Sequence, residues 1–298
     1  MASLEQLQGR LQSLEELRTI VKTMKALSAA SIRQYEQAVD ALGDYYRTVE
    51  RGLQVVLRDT HGLPPTAAGR GRPARLAAVV FGSDHGLCGR FNEEITEHAI
   101  GRMGSVHAET SNRLVLAVGA RVAASLEHEN QPVAESFLLT GSAAQITQTV
   151  QQVLLQIDTW REREGVRYVQ LFYNRHAEGR TYRPTGVELL PLGHERFARL
   201  RGEHWPTRQV PVYRQERRDL LRRLIHQYLF VSVFRACAES QASEHASRLT
   251  AMQSAERNLD ERISDVTMAY RRARQDTITA ELLDVVAGFE AISAAESG

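Results

Sequence analysis

Hydrophobic positions recur in steps of three and four at both ends of the chain and in short unbroken runs between them. From Leu4 they fall at Leu7, Leu11, Leu14, Leu17, Val21, Met24 and Leu27. After a slip of phase they resume at Ile32, Tyr35, Val39, Leu42, Tyr46, Val49, Leu53 and Val56. Steps of three and four sustained this far predict a coiled-coil helix with a stutter between Leu27 and Ile32. Ser3 and Gln6 have the spacing of a capping box, which opens the helix by satisfying its first free N–H groups. A helix of this length is a rod of roughly 80 Å.

The other end repeats the pattern. From about Tyr213 to Ile292 the apolar stripe includes Leu221, Leu224, Tyr228, Val231, Phe234, Leu249, Met252, Leu259, Ile263, Val266, Tyr270, Ala273, Ile278, Leu282, Val285 and Phe289. Such a helix would reach about 120 Å, longer than a globular core accommodates. A helix with one apolar stripe needs a partner, so the economical arrangement is an antiparallel pair of the two ends. With the termini side by side, Leu4 falls near Ala294, Met24 near Arg274 and Leu57 near Gln241. Leu220 to Ser240 is then without a partner from the first helix and packs on the middle of the chain.

Proline is confined to that middle, and the C-terminal stretch is also nearly free of glycine. All eight prolines lie between Pro64 and Pro211, and no glycine occurs from Glu203 to Ala287. Proline removes a backbone donor and clashes with the preceding turn, and glycine costs a helix conformational entropy. Leu76–Phe81, Leu114–Val118, Ser136–Leu139 and Val166–Tyr173 are apolar runs of buried-strand length. Helical patterns at Asn92–Met103, Ala120–Glu127 and Ala143–Glu164 separate them. This alternation predicts an open α/β sheet with right-handed crossovers. His61 to Pro73, rich in Gly, Pro and Thr, reads as a linker. The chain divides into a coiled-coil helix (1–57), a linker (58–74), an α/β domain (75–211) and a second long helix (212–298). The fold class is α+β/α.

Composition removes several function classes. Lys+Arg 37 against Asp+Glu 36 leaves a formal net charge of +1, with no global attraction to nucleic acid or an anionic membrane. No run approaches the roughly 18 apolar residues of a membrane span. The N-terminus reads as helix rather than targeting signal. Two cysteines, Cys88 and Cys237, are too few for a zinc site or a disulfide framework and read as reduced intracellular thiols. No two of the ten histidines lie within four residues of each other, so the helical spacing of a metal pair is missing.

Two features invite a functional reading. Ser83-Asp84-His85-Gly86-Leu87-Cys88-Gly89 follows a strand and precedes a helix, where α/β proteins place phosphate loops and activated nucleophiles. The loop has neither the Gly-Lys-Ser/Thr of a nucleotide P-loop nor a G-x-G-x-x-G fingerprint. A Cys88 thiolate with His85 as base is one reading; a tight turn with Cys88 as a small buried hydrophobe is the simpler one. The second feature is a local basic run. No acidic residue stands between Glu16 and Glu36, while Arg18, Lys22, Lys25 and Arg33 are basic. In the proposed pairing Arg271, Arg272 and Arg274 add to it. It reads either as a solvated helix face or as a positive collar that meets an acidic partner.

Ala242-Ser-Glu-His-Ala-Ser-Arg-Leu-Thr-Ala-Met252, followed by Tyr270-Arg-Arg-Ala-Arg-Gln-Asp-Thr-Ile-Thr-Ala-Glu-Leu282, closely resembles the C-terminal signature of F-type ATP synthase gamma subunits. Ile20-Val-Lys-Thr-Met24, Ser83–Gly89, and Pro184-Thr185 with Leu189–Leu192 resemble further stretches of that family, in order along nearly the whole chain. The resemblance implies a Rossmann-like middle domain beside an antiparallel coiled coil of the N- and C-terminal helices. It implies the central rotor stalk, coupling ATP synthesis or hydrolysis in a ring of three alpha and three beta subunits to proton or sodium movement. The other implied partners are the epsilon subunit and the membrane c-ring, and the location is the cytoplasmic face of a bacterial inner membrane. It implies no cofactor, metal or catalytic residue in the chain itself. The partner-binding positions it carries over are Lys22, Met24 and Lys25 toward the beta subunit's acidic loop. Arg248, Arg274, Gln275, Thr279 and Glu281 fall on positions tied to coupling, and Gly86, Leu87, Cys88 and Gly89 on positions facing epsilon and the stalk foot. This chain departs from the family in Lys25, where an acidic residue is usual, in His85 for arginine and in Arg90 for glycine. An unrelated coiled-coil scaffold is the alternative, with no reason to carry the C-terminal string.

Overall fold

In the computed structural model the described residues are 3–58, 75–106, 109–139, 145–177, 180–192, 199, 202–205, 208–209 and 211–296, without the side chains of 106, 180 and 288–296. Most of the expected linker, and Ala143 at the start of a predicted helix, lie outside them. The elements are α1 (Leu4–Arg58), β1 (Arg75–Phe81), α2 (Phe91–Val106), β2 (Arg113–Val118), α3 (Ala120–His128), β3 (Glu135–Phe137), α4 (Ile146–Arg163), β4 (Val166–Ala177), β5 (Arg180–Leu190) and α5 (Arg217–Glu296). They fall into two compact units: residues 28–248, and residues 1–27 with 249–298.

The larger unit is built on β1, whose sequence Arg-Leu-Ala-Ala-Val-Val-Phe is apolar on both faces because both faces are covered. The sheet order is β3-β2-β1-β4-β5. β1 runs parallel to β2 and β4, with Val79 opposite Leu116 and Leu171, and β3 is parallel to β2. Side chains alternate along β1 as a period of two requires. Leu76, Ala78 and Val80 join Ile95, Met103, Val122 and Leu126 of α2 and α3 in one core. Ala77, Val79 and Phe81 join Val150, Val153 and Ile157 of α4 and Tyr35, Leu53, Tyr228 and Val233 of the long helices in the other. Each fully buried side chain of this size contributes about 1.5–3 kcal/mol by leaving water.

β5 is an addition to the predicted elements. It pairs antiparallel with β4, with Phe172 opposite Gly186 and Asn174 opposite Pro184. Its sequence, Arg-Thr-Tyr-Arg-Pro-Thr-Gly-Val-Glu-Leu-Leu, lacks a continuous apolar run and contains a proline, which an edge strand tolerates because one side of its backbone needs no ladder partner. The sheet is therefore mixed.

The capping box forms as expected: the Gln6 N–H donates to Ser3 Oγ at 3.2 Å and the Ser3 N–H to Gln6 Oε1 at 3.1 Å. The pairing register and the apolar phase of α1 both differ from the sequence reading. Arg18 faces Asp260 and Lys25 faces Glu256, so Met24 does not approach Arg274. The segment Leu220–Ser240 also meets α1. The Tyr45 hydroxyl donates to Gln227 Oε1 at 2.8 Å, Tyr46 packs on Tyr228, and a Cβ on Gly52 would lie 2.9 Å from Leu224. Along α1 none of Leu4, Leu7, Leu11, Leu14, Arg18, Val21, Lys25, Ser28, Ile32 and Tyr35 is exposed, an unbroken alternation of threes and fours, with Met24 and Ser31 half-buried beside it. There is no stutter. Leu17 and Leu27, read as seam, are 50% and 63% exposed, and the polar Arg18, Lys25 and Ser28 hold the phase in their place.

Candidate functional site

The loop after β1 is closed by its own polar groups. The Ser83 N–H donates to Asn92 Oδ1 at 3.0 Å, Asn92 Nδ2 donates to Ser83 Oγ at 2.9 Å, and the Ser83 hydroxyl donates to the His85 carbonyl at 2.8 Å. The Asp84 carboxylate accepts the N–H of Ala120 at 2.9 Å and of Leu139 at 2.7 Å. It thereby places a negative charge at the N-terminus of α3, where free N–H groups and the helix dipole favour it. Leu87 and Gly89 take left-handed conformations, with φ of 65° and 62°. The Leu87 side chain, 61% exposed, forms the tip of the loop.

Cys88 is buried, and burial is the main cause of the upward displacement of its thiol pKa. Its described polar neighbours are Ser83 Oγ, Asn92 Nδ2 and the His85 carbonyl rather than the His85 ring. A thiol held neutral beside a carbonyl is a packed group, the opposite of an activated nucleophile.

Helix α5 clamps this loop. The Ser247 hydroxyl donates to the Cys88 carbonyl at 2.6 Å. Arg248 donates from Nη2 to the His85 carbonyl at 3.3 Å and from Nε to the Gly86 carbonyl at 3.4 Å, while the same Nη2 meets Glu244 Oε1 at 2.5 Å. Gln241 Nε2 donates to the other carboxylate oxygen at 3.2 Å. Burial raises the Glu244 pKa above its ordinary value, opposed by Arg248 and Gln241. His245 stacks on Tyr35 with centroids 5.5 Å apart and planes 17° from parallel. Burial, then the Arg248 charge, lowers its pKa to about 4, and burial pushes the Tyr35 hydroxyl up to about 12.

Arg248, Gly86, Cys88 and Gly89 are thus brought together, but Arg248 and Cys88 turn inward. Arg248 is 6% exposed, and its donors are engaged by the chain's own carbonyls and carboxylate in an internal clamp. Ser247, Glu244, Asp84 and Asn92 were not singled out from sequence. Their types are common surface residues, and only the fold aims them at backbone groups. A small polar residue three positions after Glu244, on the same helix face, was the available signal.

Of the basic run, Arg18, Lys22 and Lys25 lie in the other unit. Lys25 Nζ meets Glu256 Oε2 at 2.5 Å and Arg18 Nε meets Asp260 Oδ1 at 2.7 Å. Lys25 is the main cause of the lowered Glu256 pKa, through its hydrogen bond. The run is therefore partly neutralised within the chain. Arg271, Arg272 and Arg274 do not join it, since Arg274 lies about five helical turns beyond Glu256 along α5. Lys22 is exposed and Met24 half-buried; Arg274, Gln275, Thr279 and Glu281 are exposed on α5. The Thr279 hydroxyl donates back to the Gln275 carbonyl at 2.9 Å.

Comparison with known proteins follows the same outline. Residues 3–292 match the family model described as ATP synthase. The ATP synthase gamma chain of Rubrobacter xylanophilus is 31% identical over 99% of this chain and the whole of the relative. That of Geobacter metallireducens is 32% identical over 98% of this chain and 99% of the relative, and that of Caulobacter sp. strain K31 is 30% identical over 98% and the whole relative. Among solved structures, a chain of the Euglena gracilis mitochondrial ATP synthase (OSCP/F1/c-ring, rotational state 3) superposes with a TM-score of 0.67, covering 99% of this chain and 96% of that one at 18% identity. A chain of the Tetrahymena thermophila mitochondrial ATP synthase central stalk and c-ring gives 0.54 over 79% and 99%, at 22% identity. With a mixed sheet between two long helices and full-length relatives of one name, the chain belongs to the ATP synthase gamma chain family.

Proposed function

We propose that this chain is the central-stalk rotor of an F-type ATP synthase, turning within a ring of three alpha and three beta subunits and coupling ATP chemistry there to ion movement through a membrane c-ring. The observation that carries the reading is the continuous 80-residue α5, paired with α1 and bearing the family string from Tyr270 to Leu282. A shaft transmits torque only if it is stiff, and the absence of proline from both helices supports that reading. The chain itself performs no bond chemistry in this reading. The packed thiol at Cys88 supports that assignment.

Within that role we assign Lys22 and Met24 to contact with the beta subunit's acidic loop; the exposure of Lys22 supports this, and the pairing of Lys25 with Glu256 favours them over Lys25. The exposed Arg274, Gln275, Thr279 and Glu281 suit sliding contacts with the ring, since screened surface charge binds weakly. Leu87 with Gly86 and Gly89 offers the contact toward epsilon and the stalk foot. No described helix carries a stretch long and apolar enough to cross a membrane, which suits a peripheral subunit on the cytoplasmic face of a bacterial inner membrane.

The test is native mass spectrometry of the chain with alpha and beta subunits of its own source, with ATPase assayed alongside. One copy per three alpha and three beta, with raised ATPase, is expected. A chain that stays free while the same alpha and beta subunits are competent would overturn the reading.

A further inference from the structure

Between Leu14 and Ser28, α1 carries two competing faces. One is Arg18, Val21, Lys25 and Ser28, which the structure turns inward. The other lies one residue earlier in phase, about 100° around the helix. It consists of Leu17, Ile20 and Leu27, with Met24, half-buried next to Lys25, at its border with the first face. On hydrophobicity alone the second face is the better seam, because it would remove three large apolar side chains from water. The structure instead leaves Leu17, Ile20 and Leu27 at 50%, 55% and 63% exposure, while Ser28 is 2% exposed.

What opposes the apolar preference is charge. Lys25 meets Glu256 at 2.5 Å, with side chains 36% and 16% exposed. Arg18 meets Asp260 at 2.7 Å, a contact of charges rather than an aligned hydrogen bond at Nε. Turning α1 to bury Leu17 and Leu27 would separate both pairs, taking from Glu256 its close cation and from the more exposed Arg18 and Asp260, 39% and 47% exposed, a weaker surface contact. We propose that the pairs Lys25–Glu256 and Arg18–Asp260 set the rotational phase of α1 in this stretch and so hold an apolar ridge of Leu17, Ile20 and Leu27 outward. The pairs act as a phase lock rather than as a source of bulk stability, the use for which polar groups in coiled-coil seams are best suited. Coiled coils accommodate such a local change of phase over a few turns through a stutter, so neither helix need slide along the other. The alternative phase is the one that the hydrophobic pattern of α1 favours.

Alkylation rates of single cysteines in the full-length chain test this, since Cys88 and Cys237 are buried. Leu27→Cys is expected to react at least tenfold faster than Ser28→Cys in the parent sequence. Replacing the four charged residues (Arg18→Ala, Lys25→Ala, Glu256→Ala, Asp260→Ala) is expected to slow Leu27→Cys and speed Ser28→Cys, each by about fivefold or more, with helicity by circular dichroism retained. The charge-swapped Lys25→Glu/Glu256→Lys chain, which keeps a pair across the seam, is expected to keep the parent order of rates. Unchanged rates in the four-alanine chain, or equal acceleration at both cysteines through loss of helix, would overturn the phase lock. So would a swapped chain that behaves like the four-alanine chain.

Discussion

The Ser247 hydroxyl lies 2.6 Å from the carbonyl oxygen of Cys88, a contact across 159 residues of sequence. Together with Arg248 it ties the loop after β1 to the longest helix of the chain. The loop backbone has few partners of its own kind, so its carbonyls depend on these side chains.

Ser247→Ala is expected to lower unfolding free energy by about 1 kcal/mol, the net worth of one buried hydrogen bond. Arg248→Met is expected to cost about 3–5 kcal/mol, because Glu244 is left buried without its cation. Adding Glu244→Leu should recover part of that loss. Urea unfolding midpoints of the three variants check the order. Equal losses for the single and double substitutions would show that the loop carbonyls, not the carboxylate, dominate.

Stability is expected to fall in acid through His245. Its pKa in the folded chain is about 4, below the ordinary 6.5. Between those values the unfolded chain binds a proton that the folded chain does not, so stability rises with pH across that window. The contribution is complete above about pH 6.5, and ~2–3 kcal/mol is lost as the pH falls to 4. His245→Gln, which removes the titrating ring, should flatten the dependence between pH 5 and 6.5. A slope unchanged in that interval would assign it to other groups.

Lys22 and Lys25 are expected to separate assembly from coupling. Lys25→Glu places two carboxylates together at Glu256 and should lower the melting temperature of the isolated chain by several degrees. Lys22→Glu changes an exposed residue and should leave melting within about a degree. In reconstituted enzyme, ATP-driven ion pumping per ATP hydrolysed should drop with Lys22→Glu. If pumping is unchanged and the complex intact, Lys22 belongs to a solvated face.

Gly119→Ala is expected to destabilise by more than about 3 kcal/mol. Gly119 has φ of 121°, and a Cβ there would lie 2.8 Å from the backbone oxygen of Ser83, which has no side-chain freedom to yield. Thermal unfolding measures it, with Gly101→Ala, where a Cβ meets open space, as the comparison expected to be neutral or slightly stabilising.

The C-terminal string, the proline-free ends and the strand–helix alternation were legible because each is local: period, propensity and spacing act over a few neighbouring residues. They determined two long helices around an α/β sheet, and the family. β5 was not legible, because an edge strand half-exposed to water has no reason to be apolar, and Pro184 at its edge imitates a turn.

Only the tertiary structure decided which face of α1 is the seam, which residues of α5 it meets, and where Arg248 points. Hydrophobic periodicity ranks faces by apolar content alone, and between Leu14 and Ser28 it ranks the wrong face first. Glu256 and Asp260, more than 230 positions away in the chain, reverse that ranking through charge. Arg248 likewise resembles a surface cation until Glu244, His85 and Gly86 surround it. Short-range pattern sets what each segment becomes; contacts between distant segments set which of its faces are spent inside the chain and which remain for partners.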